Sequence, residues 1–436
     1  MKNVDCLIIG GSAAGTTAAE VFRSAKPAAS IAIVTDEPYE EYSRILLSNY
    51  IRGEVTREKL FLKKANWYLE KNLELIKNTK AVSLDPLGHS VTLNNDEIYQ
   101  YGKLLIATGG SVIRLEVAGG GDLGNVFYLR TLDDADAIVK AVGGCRQAVV
   151  IGGGFIGLDF ATIFRANNVS DITILVLESY FWQGKLDEKS SQVLTGVLEA
   201  NGIKILTNEE VERFEPSNNT EQGQTFNRVV GAVKTRSGKT FEADAVGIGV
   251  GIKIDFNWLV SSGIKINRGI VTNEYLETNL PDVYAAGDCA EFWDVIFKRQ
   301  HMMGNWANAT AQGLAVGKTM AGKRTIFETA SSYSADFFDG HCSFIGVTDE
   351  DFADEIIVRG SVENLKMTRI FIKTIDGRWP RGASGPEGIL RIVGATVVNN
   401  PAEVGPLTMA VKNKVDISTY KDKLGDANFD FKNLVS

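Results

Sequence analysis

The chain has 436 residues and a net charge of −8, a length that implies about three domains at ~100–200 residues each and an acidic balance that argues against a dedicated nucleic-acid binder. Hydrophobic residues make up 44%, enough for folded cores and too much for a disordered chain. No apolar stretch reaches the ~20 residues of a membrane span, and the first apolar run is too short for a secretory signal, so a cytoplasmic location is expected.

The chain opens with an apolar strand from Val4 to Ile9, which runs into Gly10-Gly11-Ser12-Ala13-Ala14-Gly15 and an Ala-rich helical stretch. A second strand at 31–34 ends in Thr35-Asp36-Glu37, and a strand at 103–108 is closed by Gly109-Gly110. The opening pattern then recurs. Ala148 to Ile151 leads into Gly152-Gly153-Gly154-Phe155-Ile156-Gly157, and the next strand, 172–177, is followed by Glu178. Further strands are predicted at 243–249 and 283–286, the latter running into Gly287-Asp288. From about residue 325, strand-like runs at 344–346, 355–359, 368–373 and 390–398 alternate with turns, and 402–412 reads as a helix. This is the pattern of an α+β region. Residues 376–387, rich in Gly, Pro and Arg, read as an exposed loop.

A strand, a glycine turn, a helix and an acid some 20 residues on form the opening of a dinucleotide-binding βαβ unit. The first glycine turns the chain off the strand, a small middle residue lets a pyrophosphate approach the backbone, and the last glycine packs helix on strand. The helix N-terminus then offers its unpaired N–H groups to the phosphate. Gly152, Gly154 and Gly157 fill all three positions; in the first copy Ser12 stands between Gly10 and Gly15. Glu178 suits the ribose hydroxyls of NADH and would repel the 2′-phosphate of NADPH. In the first copy the ribose acid is Asp36, with Glu37 as the substitute. The four cysteines, Cys6, Cys145, Cys289 and Cys342, form no Cys-x-x-Cys pair, and His89, His301 and His341 lie far apart. Neither a disulfide framework nor a metal site is expected.

At Tyr42-Ser43-Arg44-Ile45-Leu46-Leu47-Ser48-Asn49, Ala107-Thr108-Gly109-Gly110, Tyr128 to Ala135, the second glycine turn and Ala286-Gly287-Asp288-Cys289-Ala290, the chain resembles FAD-dependent NADH reductases of rubredoxin, ferredoxin and Rieske-type oxygenase systems. These belong to the flavoprotein superfamily that includes glutathione reductase. The first stretch is also similar to the flavin domain of NADH-dependent nitrite reductases. The resemblance implies an α/β fold of two Rossmann-like dinucleotide-binding domains plus a C-terminal α+β interface domain. The expected boundaries are 1–112 and 245–325 for FAD, 113–244 for NAD, and 326–436 for the C-terminal domain. It implies FAD contacts at Asp36, Ala81, Arg130, Asp288 and Trp306, with Arg44, Ser48, Asn49, Ala107, Thr108 and Gly109 beside the flavin nucleotide. The NAD site takes the second glycine turn, Phe155, Ile156, Asp159, Glu178 and Gly249.

Two departures stand out. Family members often pair a lysine at the position of Asn49 with a glutamate at that of Asp159, beside flavin N5 and the nicotinamide; here both partners are shorter and one is neutral, so the usual ion pair is expected to be absent. Asp159 either steers the nicotinamide amide or simply solvates its helix. Oxygenase-type reductases also carry a tryptophan where this chain has Ser334, which leaves the flavin face open or covered by Phe337 or Phe338. Disulfide reductases of the superfamily need a cysteine in the segment corresponding to Tyr42 through Ile51, where this chain has none. Ser43 and Ser48 cannot replace a thiolate, so thiol chemistry is rejected. The resemblance implies hydride transfer from NADH to flavin N5 and electron release to a small ferredoxin, rubredoxin or Rieske-type protein, or to a larger electron-accepting complex. Basic residues Arg52, Arg57, Lys63, Lys64, Lys298 and Arg299 are candidates for docking it, and a homodimer is possible. The alternatives are an NADH oxidase or quinone-type reductase, an NADH-sensing flavoprotein akin to apoptosis-inducing factor, and an electron-input subunit.

Overall fold

The computed structural model describes residues 1–217, 228–375 and 388–435; the loop expected at 376–387 lies outside them. The chain divides into two compact units, one formed by Met1–Leu46, Val55–Ser111 and Ile252–Thr329, the other by Leu47–Glu54, Val112–Gly251 and Ala330–Ser436.

In the first unit the strand Lys2–Ile9 lies between Ile31–Val34 and Ile98–Ile106, parallel to both. Glu74–Ile76 adds beyond Ile31–Val34, and Val283–Ala285 adds beside Ile98–Ile106, again parallel. An antiparallel hairpin, Ala81–Asp85 and Ser90–Leu93, extends the sheet past the start of Ile98–Ile106. Cys6 through Ile9 and Ile31 through Val34 are all buried, which explains why these strands read as unbroken apolar runs. In register, Ile9 stands beside Val34 and Ile106, and Ile106 beside Ala285. Gly10, Thr35, Ala107 and Ala286 therefore leave the sheet along one carboxyl edge, the edge at which parallel sheets bind ligands. The helix Ala13–Ala25 packs against the helix Trp306–Met320 at very close range. A Cβ on Gly313 would stand 2.6 Å from Ala14 O, and one on Gly317 2.9 Å from Ala18 O.

The second unit repeats the plan. Its parallel sheet runs Ile203–Leu206, Asp171–Leu175, Gln147–Ile151, Ala245–Ile248, Val126–Tyr128. Ala245–Ile248 is fully buried between two neighbours of this sheet, so the expected boundary between 244 and 245 is corrected: this strand completes the second sheet, and the chain re-enters the first unit at Ile252. A three-stranded antiparallel sheet, Val211–Pro216, Val230–Thr235 and Thr240–Glu242, lies alongside it. Leu47–Glu54 also groups with this unit rather than with the residues around it.

The C-terminal runs form a five-stranded antiparallel sheet, ordered Ser332–Phe337, Gly340–Gly346, Ile389–Val398, Lys366–Ile375, Glu355–Ser361. Each strand-like run expected after residue 325 falls inside one of them. The final helix starts at Val404, because Pro401–Glu403 forms a 3₁₀ turn ahead of it. This sheet joins the second unit instead of standing alone. Phe155 meets Tyr333 and Phe344 at ring separations of 5.5 and 5.7 Å, and Arg369 reaches Asp187 at 3.5 Å.

Candidate dinucleotide sites

The first glycine turn is held open by steric need. Gly10 has φ +121°, and a Cβ there would fall 2.1 Å from Ala107 O; a Cβ on Gly15 would fall 1.9 Å from Gly10 O. Ser12 precedes the helix Ala13–Ala25 without capping it through its side chain. Other helices are capped: Thr131 accepts from the Asp134 amide in a full capping box, Asp187 from Ser190, and Asn305 from Asn308. The Ala13–Ala25 helix thus keeps first-turn N–H groups without a side-chain acceptor, ready for an anion.

A cleft runs from this turn and is lined by Gly10, Gly11, Ser12, Thr35, Asp36, Glu37, Tyr39, Glu40, Glu41, Tyr42, Arg44, Ala107 and Thr108. Sequence reasoning placed most of these together. Glu37 is engaged twice, accepting from Tyr42 Oη at 2.5 Å and pairing with Arg44. Asp36 is exposed, 3.5 Å from Lys80 Nζ. Lys80 stands next to Ala81, which begins the outer hairpin. These features fit the adenosine diphosphate half of FAD: an uncapped helix end and a cradle with no room for a Cβ, next to an accessible acid. Elsewhere in the unit, Gly287 is left-handed at φ +82° and its N–H donates to Gln312 Oε1 at 2.6 Å. Asp288 follows it, its carboxylate 3.7 Å from the Cβ position of Gly304, just ahead of the helix that Trp306 opens. The Trp306 ring packs against the core of this unit.

The second turn repeats the first. Gly152 has φ +96°, and its Cβ would stand 2.5 Å from Gly249 O; that of Gly157 would stand 2.1 Å from Gly152 O, and that of Gly249 2.8 Å from Gly157 N. Gly154, before the helix Phe155–Ala166, also offers no side-chain cap. Its Cβ would meet nothing nearer than Gly249 O at 3.8 Å, so the protein itself does not require glycine there. Ile156 is half-buried and its Cβ contacts the Gly249 position. Glu178 is exposed and makes no ion pair among the described residues. Phe155 sits in an aromatic cluster with Trp182, Tyr333 and Phe344. Sequence reasoning missed its three partners, which lie up to 189 residues away in the chain and carry no local motif.

The usual ion pair between the positions of Asn49 and Asp159 was expected to be absent, and the two side chains have different neighbours. Asp159 on the helix Phe155–Ala166 is half-buried. Burial pushes its carboxyl up to about 6, against the pull of a hydrogen bond from Ser48 and the charge of Arg52. Asn49 instead donates to Glu54 Oε2 at 2.6 Å, and Arg52 grips the same carboxylate at 2.7 and 3.1 Å. Ser48, not Asn49, is therefore the neighbour of Asp159. Ser48, Asn49 and Arg130 all belong to the second unit; Arg130 leads into the capping box, its main-chain N–H donating to Asp134 at 3.0 Å. Gly109 is left-handed at φ +63°. Of the basic residues considered for docking, Arg52 is held by Glu54 and Lys63 by Glu20 at 2.9 Å. Phe337 is 2% exposed and fills its own sheet's core, so it is not available as a cover; Ser334 is exposed. The four cysteines are buried, and burial raises each thiol above its usual range.

Among the described residues no helix is long and apolar enough to cross a membrane. The family model for pyridine nucleotide-disulphide oxidoreductases matches residues 4–313. The chain is 26% identical to putidaredoxin reductase of Pseudomonas putida over 438 residues, spanning 100% of this chain and 97% of that protein. It is 31% identical to the NAD(P)H nitrite reductase of Bacillus subtilis over 292 residues, 67% of this chain but only 35% of that protein. The solved putidaredoxin reductase–putidaredoxin covalent complex superposes with a TM-score of 0.87 at 26% identity, covering 100% of this chain and 99% of that one.

Proposed function

Since the chain belongs to the pyridine nucleotide-disulphide oxidoreductase family and is an FAD-dependent NAD(P)H oxidoreductase, we propose that it draws electrons from NADH and delivers them to a small iron–sulfur or similar redox protein. The observation that carries this reading is the pair of uncapped glycine turns, each at the carboxyl edge of its own parallel sheet and each followed by an exposed strand-end acid. End-to-end likeness to a reductase of a redox protein supports the acceptor class.

FAD belongs on the first turn. There Gly10, Ser12 and the first-turn amides hold the pyrophosphate, Asp36 the ribose, and Asp288 the ribityl chain. NADH belongs on the second turn, with Gly152, Gly154 and Gly157 around its pyrophosphate and Glu178 on its ribose hydroxyls. An unpaired carboxylate accepts hydrogen bonds from a 2′-hydroxyl and repels a 2′-phosphate, which favours NADH. When bound, the flavin supplies an acceptor for the nicotinamide hydride and a donor for one-electron carriers. Asp159, with a carboxyl near 6, is placed to hold or release a proton on the helix that carries Phe155. Ser43 and Ser48 occupy the segment where thiol enzymes carry cysteine, so the route runs from flavin to acceptor without a disulfide.

A small-molecule acceptor is the second reading, favoured by exposed Ser334 at the position where oxygenase-type relatives carry tryptophan. Steady-state NADH oxidation with ferredoxins and rubredoxins, measured against oxygen, ferricyanide and quinones, separates the two. The proposal expects turnover at least tenfold faster with a protein carrier; equal or faster turnover with quinone or oxygen overturns it.

A further inference from the structure

Four acids line the cleft at the first glycine turn: Asp36, Glu37, Glu40 and Glu41. Three have a cation. Asp36 lies 3.5 Å from Lys80, Glu37 pairs with Arg44, and Glu40 lies 2.6 Å from Lys77. Glu41 differs. It is 6% exposed, and its carboxylate makes neither an ion pair nor a hydrogen bond among the described residues. Its main chain is fixed on both sides: the N–H donates to Tyr68 Oη at 3.2 Å, and the carbonyl accepts from the Leu62 and Lys63 amides at 2.9 and 3.2 Å.

The groups around Glu41 do not compensate its charge. Lys63, from the segment that follows Leu60, is the nearest cation in effect, but its ammonium is bound to Glu20 of the helix Ala13–Ala25 at 2.9 Å. Glu20 itself repels a charge on Glu41. Tyr68, from the helix Ala65–Glu70, is buried and neutral, and Glu40 alongside is already neutralised by Lys77. Burial of this unpaired group pushes its carboxyl up to about 7. An isolated buried carboxylate is costly, and a pyrophosphate brought to the same cleft makes it costlier.

We propose that Glu41 takes up a proton as the dinucleotide enters this cleft, so that binding of FAD is coupled to proton uptake and the cleft meets the pyrophosphate with a neutral carboxyl. The inference rests on the assignment of FAD to the first glycine turn. Its sign follows from linkage. The bound form holds the proton more tightly than the free form, so affinity is independent of pH below about 7 and falls above it by about tenfold per pH unit. The proton comes from solvent, and no other reactant is needed.

The test uses apoprotein prepared by acid–salt release of the flavin, titrated with FAD by calorimetry at pH 8 in two buffers of different ionisation enthalpy. The dissociation constant is followed from pH 6 to 9. The expected result is uptake of about one proton per FAD at pH 8, and a pH slope above 7 that Glu41→Gln abolishes. FAD binding without proton uptake in the wild type overturns the inference and leaves the flavin assignment standing. Uptake that persists in Glu41→Gln assigns the proton to another group and equally overturns it. Failure of FAD to bind at any pH overturns the assignment itself. The wild-type proton count does not depend on the variant folding.

Discussion

The two glycine turns are built on one plan and differ in two details. Gly15 and Gly157 are closed against backbone oxygen at 1.9 and 2.1 Å; these glycines are demanded by the fold. The middle position is different, because a side chain at Gly154 meets open space and Ser12 occupies the equivalent place in the first turn. The protein therefore demands the outer two glycines and leaves the middle position of the second turn open. The second detail is charge. At the first turn Asp36 leans on Lys80 and three of four acids are paired, whereas Glu178 at the second makes no ion pair among the described residues.

The largest expected effect tests the fold side of this contrast. Gly15→Ala and Gly157→Ala each force a Cβ onto a carbonyl oxygen and should destabilise the apoprotein by roughly 3 kcal/mol or more, or prevent folding. Gly154→Ala meets open space but replaces the N-cap glycine of its helix, and should cost no more than about 1 kcal/mol of stability while weakening NADH binding about tenfold. Urea unfolding and NADH titration read the two effects, and equal destabilisation at 154 and 157 would break the distinction.

Asp159 comes next. Its folded carboxyl, near 6, lies above its ordinary value near 4. The protonated form therefore contributes stability in full below about pH 4 and loses it as pH rises to about 6. Asp159→Asn cannot ionise. Relative to wild type it should gain stability on the order of 1–2 kcal/mol across that window, measured by thermal unfolding at pH 4.5 and 7. A parallel pH profile for the two proteins would contradict the buried setting.

Glu178→Gln sharpens the comparison of acids: removing the lone charge should shift the NADH-to-NADPH ratio of kcat/KM toward NADPH by roughly tenfold. An unchanged ratio would place the ribose elsewhere. Lys80→Ala should do least. An exposed pair is worth about 0–1 kcal/mol, so stability and FAD content should barely move.

Much of this was legible in the sequence, because the signals were local. Gly10, Gly15, Gly152 and Gly157 announce turns within six residues, and the apolar strands before them are buried on both faces. The C-terminal strands were readable from runs of apolar residues between turns. What was not legible depended on partners distant in the chain. Ala245–Ile248 looks like any apolar strand, and only its pairing with Gln147–Ile151 and Val126–Tyr128 assigns it to the second sheet. Resemblance marked Asn49 and Asp159 as positions whose usual ion pair is lost, but it did not name their partners here, Glu54 for Asn49 and Ser48 for Asp159. Glu41 reads as one of two adjacent acids. Its isolation appears only once Lys77 is seen on Glu40 and Lys63 on Glu20.

An anaerobic titration of the purified, FAD-reconstituted protein with NADH, followed by visible absorbance, reaches the core of this account. Two working cradles predict a yellow protein with one FAD per chain whose colour bleaches on addition of about one equivalent of NADH. Protein that stays colourless after reconstitution, or yellow in excess NADH, would contradict it.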